Sequence, residues 1–453
     1  MVAFPAMQPK SSSQATSAEG GLVRALGTFG LAASIINITV GGGIFRLPAD
    51  VAKSLGAAGP LAYLVCSVAL GLIVLCFADA GSRVSLTGGP YAYVEVAFGP
   101  FVGFMAGVLV WLLGTFALAA VSTLFAGGLG ALVPALSGPT GRVAILLATF
   151  GLLGAVNIRG VEQGARLNNV ATIAKLVPLL LLAIGGLFAV RVENLAVVAW
   201  PAASDVARTS IILIFAFSGV ETALVPSGEV RDPARTVPRA IFIAMLGITL
   251  LYITLQVVAR GVLGDALATE TTAPLAAAAG AALGGWARAV LLVGATISMF
   301  GYIGGMTLAV PRALFAFARD GFLPSALARV HPRFHTPHLA IAAQSCIVAA
   351  LALSGTFERL AILSNICVLL LYGACCVASW VLRRRGVQQS GTPFRVPLAG
   401  VVPWLACAVI VWMLTSITTG EWLALAITLG AATLVFFGSR TRRTVRRADS
   451  PNV

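Results

Sequence analysis

Charge is what this chain has least of. Only 10% of its 453 residues are Asp, Glu, Lys or Arg, while 58% are hydrophobic and the mean hydropathy is +0.96. Soluble domains carry roughly a quarter charged residues, so a soluble protein is excluded and an all-α polytopic membrane protein is expected. Acidic residues are scarcer than basic ones, 16 against 30, for a net charge of +14. The basic residues fall between apolar segments and form neither one patch nor a base-reading motif, which argues against nucleic acid as a partner. Three of the basic residues are lysines: Lys10, Lys53 and Lys175. The seven cysteines (Cys66, Cys76, Cys346, Cys367, Cys375, Cys376 and Cys407) lie in apolar segments without the paired spacing of a zinc site, and read as small packing residues. His331, His335 and His338 are the only histidines. Pro332 and Pro337 prevent a regular helix there and no acid completes a ligand set, so no metal is expected. Paired acids, or a nucleophile with its base, are lacking at membrane depth, where only Lys175 and Glu221 fall. Neither an enzyme nor a cofactor is expected.

What is present is a series of long apolar runs. They lie at about 26–55, 58–80, 100–132, 141–158, 168–190, 209–230, 238–262, 286–317, 337–354, 358–382, 401–418 and 421–438. Each is close to the ~20 residues that cross a bilayer, or longer, so twelve spans are predicted. Residues 1–22 are polar and read as a disordered tail with no cleavable signal sequence, and 439–453 as a basic tail. With the N-terminus cytoplasmic, 21 Lys and Arg fall inside and 8 outside, with Lys175 within a span. The positive-inside rule then places both termini in the cytoplasm, in a multi-pass protein of the cytoplasmic membrane.

Two of the spans are interrupted. Gly41, Gly42 and Gly43 sit in the middle of the first, between Val40 and Ile44-Phe45. An orphaned backbone group in hydrocarbon costs several kcal/mol, so a broken helix must face protein or a water-filled cavity. The half-helix after the glycines presents N–H groups and the positive end of its dipole, which suits a carboxylate. A Gly-rich helix-packing face is the other reading of this stretch. The second interruption is Phe215-Ala216-Phe217-Ser218-Gly219-Val220-Glu221-Thr222 in the sixth span. Two breaks five spans apart suggest two five-span repeats of opposite topology, about 26–190 and 209–382, holding a ligand between them at mid-membrane. A channel is the main rival, but it would favour polar rings along a continuous pore.

Six segments in this order resemble the amino acid, polyamine and organocation transporter family over nearly all of residues 22–435. They are Gly41-Gly42-Gly43-Ile44-Phe45 with Leu47-Pro48; Gly88-Gly89-Pro90-Tyr91-Ala92-Tyr93 before Phe98-Gly99-Pro100; Asn168-Asn169 with Lys175; Phe217-Ser218-Gly219-Val220-Glu221; Glu229-Val230-Arg231-Asp232-Pro233-Ala234-Arg235 with Pro238; and Ala318-Arg319-Asp320-Gly321-Phe322-Leu323-Pro324. The resemblance implies a LeuT-like 5+5 inverted repeat with two peripheral helices (401–438), and transport of amino acids or related amines by alternating access. It places a carboxylate cradle on the amides of Gly41, Gly42 and Gly43, although many relatives have Ser where this chain has Gly42. It places the substrate ammonium on carbonyls near Thr39, Val40, Phe215 and Ser218, beside Phe217. Phe215 falls where some relatives, including arginine/agmatine exchangers, carry a covering tryptophan, and Trp111 is a second candidate wall, with helix packing as the other reading of both.

Lys175 matches a lysine that takes the place of sodium in sodium-coupled relatives. It would bind carbonyls near Thr39, Val40 and Gly43, make transport sodium-independent, and be able to release a proton during the cycle. Glu221 is the matching anion for coupling or gating, or else a structural partner. Glu229, Arg231, Asp232 and Arg235 are expected in a cytoplasmic gate. With no evident anionic pocket residue apart from Glu221, a neutral or broad substrate range is favoured, and cationic amino acids or polyamines by antiport are the alternative. The expected partners are thus an amino acid or amine, the lipid bilayer and protons.

Overall fold

A computed structural model describes residues 27–84, 90–159, 165–219, 233–388, 393, 394, 396 and 398–448. Those residues form sixteen α-helices joined by turns and short 3-10 segments, and no strand occurs among them. The first half contains α1 (Thr28–Thr39), α2 (Leu47–Leu55), α3 (Gly59–Arg83), α4 (Pro90–Phe98), α5 (Pro100–Leu132), α6 (Pro139–Ile158) and α7 (Ala165–Gly185). The second contains α8 (Ala203–Phe217), α9 (Pro233–Leu263), α10 (Pro274–Leu283), α11 (Gly285–Ala309), α12 (Pro311–Arg319) and α13 (His338–Ser354). After these come α14 (Phe357–Arg384), α15 (Val402–Leu414) and α16 (Thr419–Ala448).

Seven stretches among the described residues are long and apolar enough to cross a bilayer, which makes this a multi-pass membrane protein. A spanning helix closes its own hydrogen bonds, so the apolar runs of the sequence can adopt no other form in lipid. Proline opens α4, α5, α6, α9, α10 and α12, where its missing N–H costs nothing because the first turn has no partner for it. The ten-residue Ala-rich α10 was not among the predicted segments, being too short to span. The predicted eighth span, 286–317, is two helices: α11 ends at Ala309 and α12 begins at Pro311.

The helices pack around α14. Of its apolar window 72% is buried, against 17% for Thr419–Gly438 of α16, so α14 is central and α16 faces outward. Helix α14 runs along α5, and α5 along α11; on the other side α9 packs against α1 and α3. Small residues permit the closest approaches, as expected where lipid supplies no hydrophobic drive. A Cβ on Gly294 of α11 would lie 2.1 Å from the Ala174 carbonyl oxygen of α7, so those two backbones touch directly beside Lys175. The predicted tail 1–22 lies outside the described residues; of the predicted basic tail 439–453, residues 439–448 instead continue α16, and 449–453 lie outside the described residues.

Candidate functional site

Helix α1 stops where the glycines begin. The Val40 N–H still bonds to the Ile36 carbonyl (2.9 Å), but Val40 itself leaves the helical region (φ −71°, ψ 84°). A single 3-10 turn over Gly43–Phe45 then leads into α2, with Pro48 in its first turn. The amides of Gly41, Gly42 and Gly43 have no hydrogen-bond partner among the described residues. Gly42 and Gly43 are buried, as are Val40 and Ile44. This break therefore faces protein, not lipid. A Cβ on Gly42 would lie 3.0 Å from Met299 Cγ of α11 and 3.3 Å from Val121 Cγ1 of α5, and one on Gly43 would lie 2.7 Å from Phe215 Cδ1 of α8. Any larger residue at Gly43 must displace an aromatic ring.

Helix α8 stops at the matching place. Its last residue is Phe217, and the Ser218 N–H and hydroxyl both bond to the Ile214 carbonyl at 2.8 Å. Gly219 then turns with φ +120°, a conformation that disfavours a side chain. It lies against α1, where a Cβ would meet Ile38 Cγ2 at 3.1 Å and the Ile38 carbonyl oxygen at 3.4 Å. The first break and the end of α8 are therefore in contact. Glu221, Thr222, Glu229, Arg231 and Asp232 lie outside the described residues, as does the rest of the predicted span, 220–230.

The structure separates the remaining candidates into two groups. Phe215 is half-buried over Gly43, with its ring edge-on to Phe357 at 5.5 Å. Lys175 is buried (8% exposed), and its Nζ donates to the Asn37 carbonyl in the last turn of α1. It thus reaches the expected helix end two residues before Thr39. Phe217 is fully buried, edge-on to Tyr252 at 5.1 Å. Trp111 is not brought to the break. It sits ten residues before Val121 on α5, about 15 Å along the helix, and its indole N–H donates to Gln344 Oε1 of α13 (2.9 Å). Among the histidines, the His331 ring accepts the N–H groups of Arg333 and Phe334 through Nδ1, which folds its own loop.

Residues not anticipated from the sequence surround the same region. The Tyr252 hydroxyl of α9 bonds to the Ala216 carbonyl (2.9 Å) and reaches the Thr39 carbonyl (3.4 Å), one at the end of α8 and the other at the end of α1. One turn on, Gln256 accepts from the Tyr63 hydroxyl (3.2 Å) and donates to the Pro48 carbonyl of α2 (3.4 Å). Asn365 of α14 donates to the Ile211 carbonyl of α8 (2.7 Å). A signal did exist: each is a polar side chain inside an apolar run, which must find a partner, and Tyr252 and Gln256 are four apart on one helix face.

A cavity of about 20 Å³, room for roughly one water, opens beside the glycines and is lined by Phe45, Arg46, Leu124, Gly128, Thr296 and Met299. Among the described residues, no acidic side chain lines this cavity. Farther along α2, Arg46 pairs with Asp50 (3.0 Å). Amide donors and helix-end carbonyl acceptors close together can engage a carboxylate and an ammonium group respectively.

The amino acid permease family profile matches residues 26–434. The chain is 29% identical to the methylthioribose transporter of Bacillus subtilis over 95% of its own length and 96% of that protein's. It is 29% identical to the branched-chain amino acid permease of the same organism (86% and 88% covered) and 28% identical to its serine/threonine exchanger (94% and 99% covered).

Proposed function

This chain belongs to the amino acid permease family, and we propose that it carries neutral amino acids across the membrane by alternating access, without sodium, coupled to protons or to exchange. One observation carries the reading: the break after α1 and the C-terminal end of α8 meet in the protein interior, where the amides of Gly41 and of the buried Gly42 and Gly43 have no partner among the described residues. In this reading those amides hold the substrate carboxylate. The carbonyl ends near Thr39, Val40, Phe215 and Ser218 hold its ammonium, and Phe215, Val121 and Met299 bound its side chain. Lys175, donating to α1, supplies the positive charge that would otherwise have to come from an ion. The small cavity corresponds to a closed site, so α5 and α11 must separate from α1 and α8 to admit substrate.

The reading includes twelve spans in a 5+5 inverted repeat, with α15 and α16 peripheral and both termini cytoplasmic. A neutral substrate is favoured over a cationic one because no acidic residue among the described ones lines the cavity, and because two relatives are named for branched-chain amino acids and for serine and threonine. The test is a thermal-shift screen of the purified protein against the twenty amino acids, common polyamines and methylthioribose. Proteoliposome uptake then follows, with and without sodium and a pH gradient. Saturable, stereoselective uptake that ignores sodium and accelerates with substrate on the far side is expected. Linear, non-saturating flux would exclude a carrier, and preferential stabilisation by arginine or agmatine would move the substrate to the cationic class.

A further inference from the structure

We infer that Tyr252 is a positioning residue of the substrate site, its hydroxyl setting the spacing of the two helix-end carbonyls that receive the ammonium group. The inference rests on the reading above and adds to it a residue on a helix that neither interruption contains. Thr39 and Ala216 lie in the last turns of α1 and α8, where a carbonyl has no partner within its own helix and the dipole is negative. The Tyr252 oxygen is 2.9 Å from one of these carbonyls and 3.4 Å from the other. A hydroxyl carries a single proton, so it satisfies one acceptor fully and leaves the other with capacity to spare, and each carbonyl keeps a second lone pair. Two partly satisfied acceptors held around one point are suited to a cation with several N–H donors.

The ring cannot swing away from this position. It is fully buried, edge-on to Phe217 at 5.1 Å and to Tyr63 at 6.3 Å. A buried phenol needs only one acceptor; this one spans two helix ends that the sequence separates by 177 positions, from Thr39 to Ala216. Because α9 also packs along α1, the hydroxyl ties both ends to a third helix, so that they keep their spacing as the site opens and closes.

The test compares affinities for the best-binding of the twenty amino acids and for the same molecule without its amine (for leucine, 4-methylpentanoate). Tyr252→Phe keeps the ring and removes the hydroxyl. In full-length purified protein it is expected to weaken amino acid binding about tenfold while leaving the deaminated acid within twofold. A residue that only stabilised the fold would weaken both equally, and that result, or no change in either, overturns the inference. Phe217→Leu gives a second reading should Tyr252→Phe not accumulate. It leaves the hydroxyl but removes a ring that clamps it, and the same preference for the amine should fall about threefold; an unchanged preference counts against the inference. Wild-type protein that binds no amino acid would instead overturn the transport reading itself.

Discussion

The glycine break and the Asp79 cluster both place polar groups deep among apolar helices, and they treat them in opposite ways. Asp79 of α3 is 1% exposed, and its carboxylate is fully engaged: Arg83 Nε at 3.0 Å, Arg383 Nη2 at 3.0 Å and the Ser379 hydroxyl at 2.7 Å. Two of these partners come from α14, so the cluster fastens one end of α3 to the central helix. At the break the polar groups are backbone amides, and those of Gly41, Gly42 and Gly43 are left without partners among the described residues. A buried carboxylate whose oxygens are both engaged fixes structure, whereas buried donors without acceptors are costly unless something else completes them. The comparison separates a polar group whose partners lie within the protein from backbone donors that have none among the described residues.

The largest effect should come from breaking the saturated side. Asp79→Ala leaves the Arg83 and Arg383 guanidinium groups without their shared carboxylate, and removing one partner of a buried ion pair costs about 3–5 kcal/mol. Little monodisperse protein should survive size-exclusion chromatography after heating, and a melting temperature equal to that of wild type would refute the structural role. Next is Lys175→Ala, expected to abolish proteoliposome uptake while expression stays intact, since the Nζ contact with α1 is lost but no charge is stranded. Full activity in that variant would remove the role assigned to this lysine. The smallest of the three is Gly42→Val. Its side chain would press on Met299 and Val121 and fill the space before the amides. Substrate affinity should fall about tenfold, roughly 1.4 kcal/mol, and unchanged affinity in a titration would count against the cradle.

How much of this was legible in the sequence follows the same division. The break in the first span was readable because three glycines in an apolar run are a backbone signal, independent of what packs nearby. The end of α8 was readable for the same reason: Gly219 marks the place where the chain must turn. Partnerships between helices were not. A lysine in a span must find an acceptor, but whether that is the carbonyl of Asn37 or of Thr39 depends on how α7 and α1 are packed against each other, a tertiary fact. Trp111 was a reasonable wall by its type, yet its indole is satisfied by Gln344, whose position opposite it is a tertiary fact. Tyr252 shows the limit most clearly: polarity says that the hydroxyl needs a partner, and only the fold says that the partners lie at two helix ends at once.

Amide hydrogen exchange on the purified transporter, followed over peptides covering residues 38–46 with and without saturating amino acid, bears most directly on the central claim. Substrate should slow exchange at Gly41, Gly42 and Gly43, while the peptide around Asp79, already saturated, changes little. Bound substrate that leaves exchange across 38–46 unaltered would mean that the carboxylate is held elsewhere, and would contradict the account.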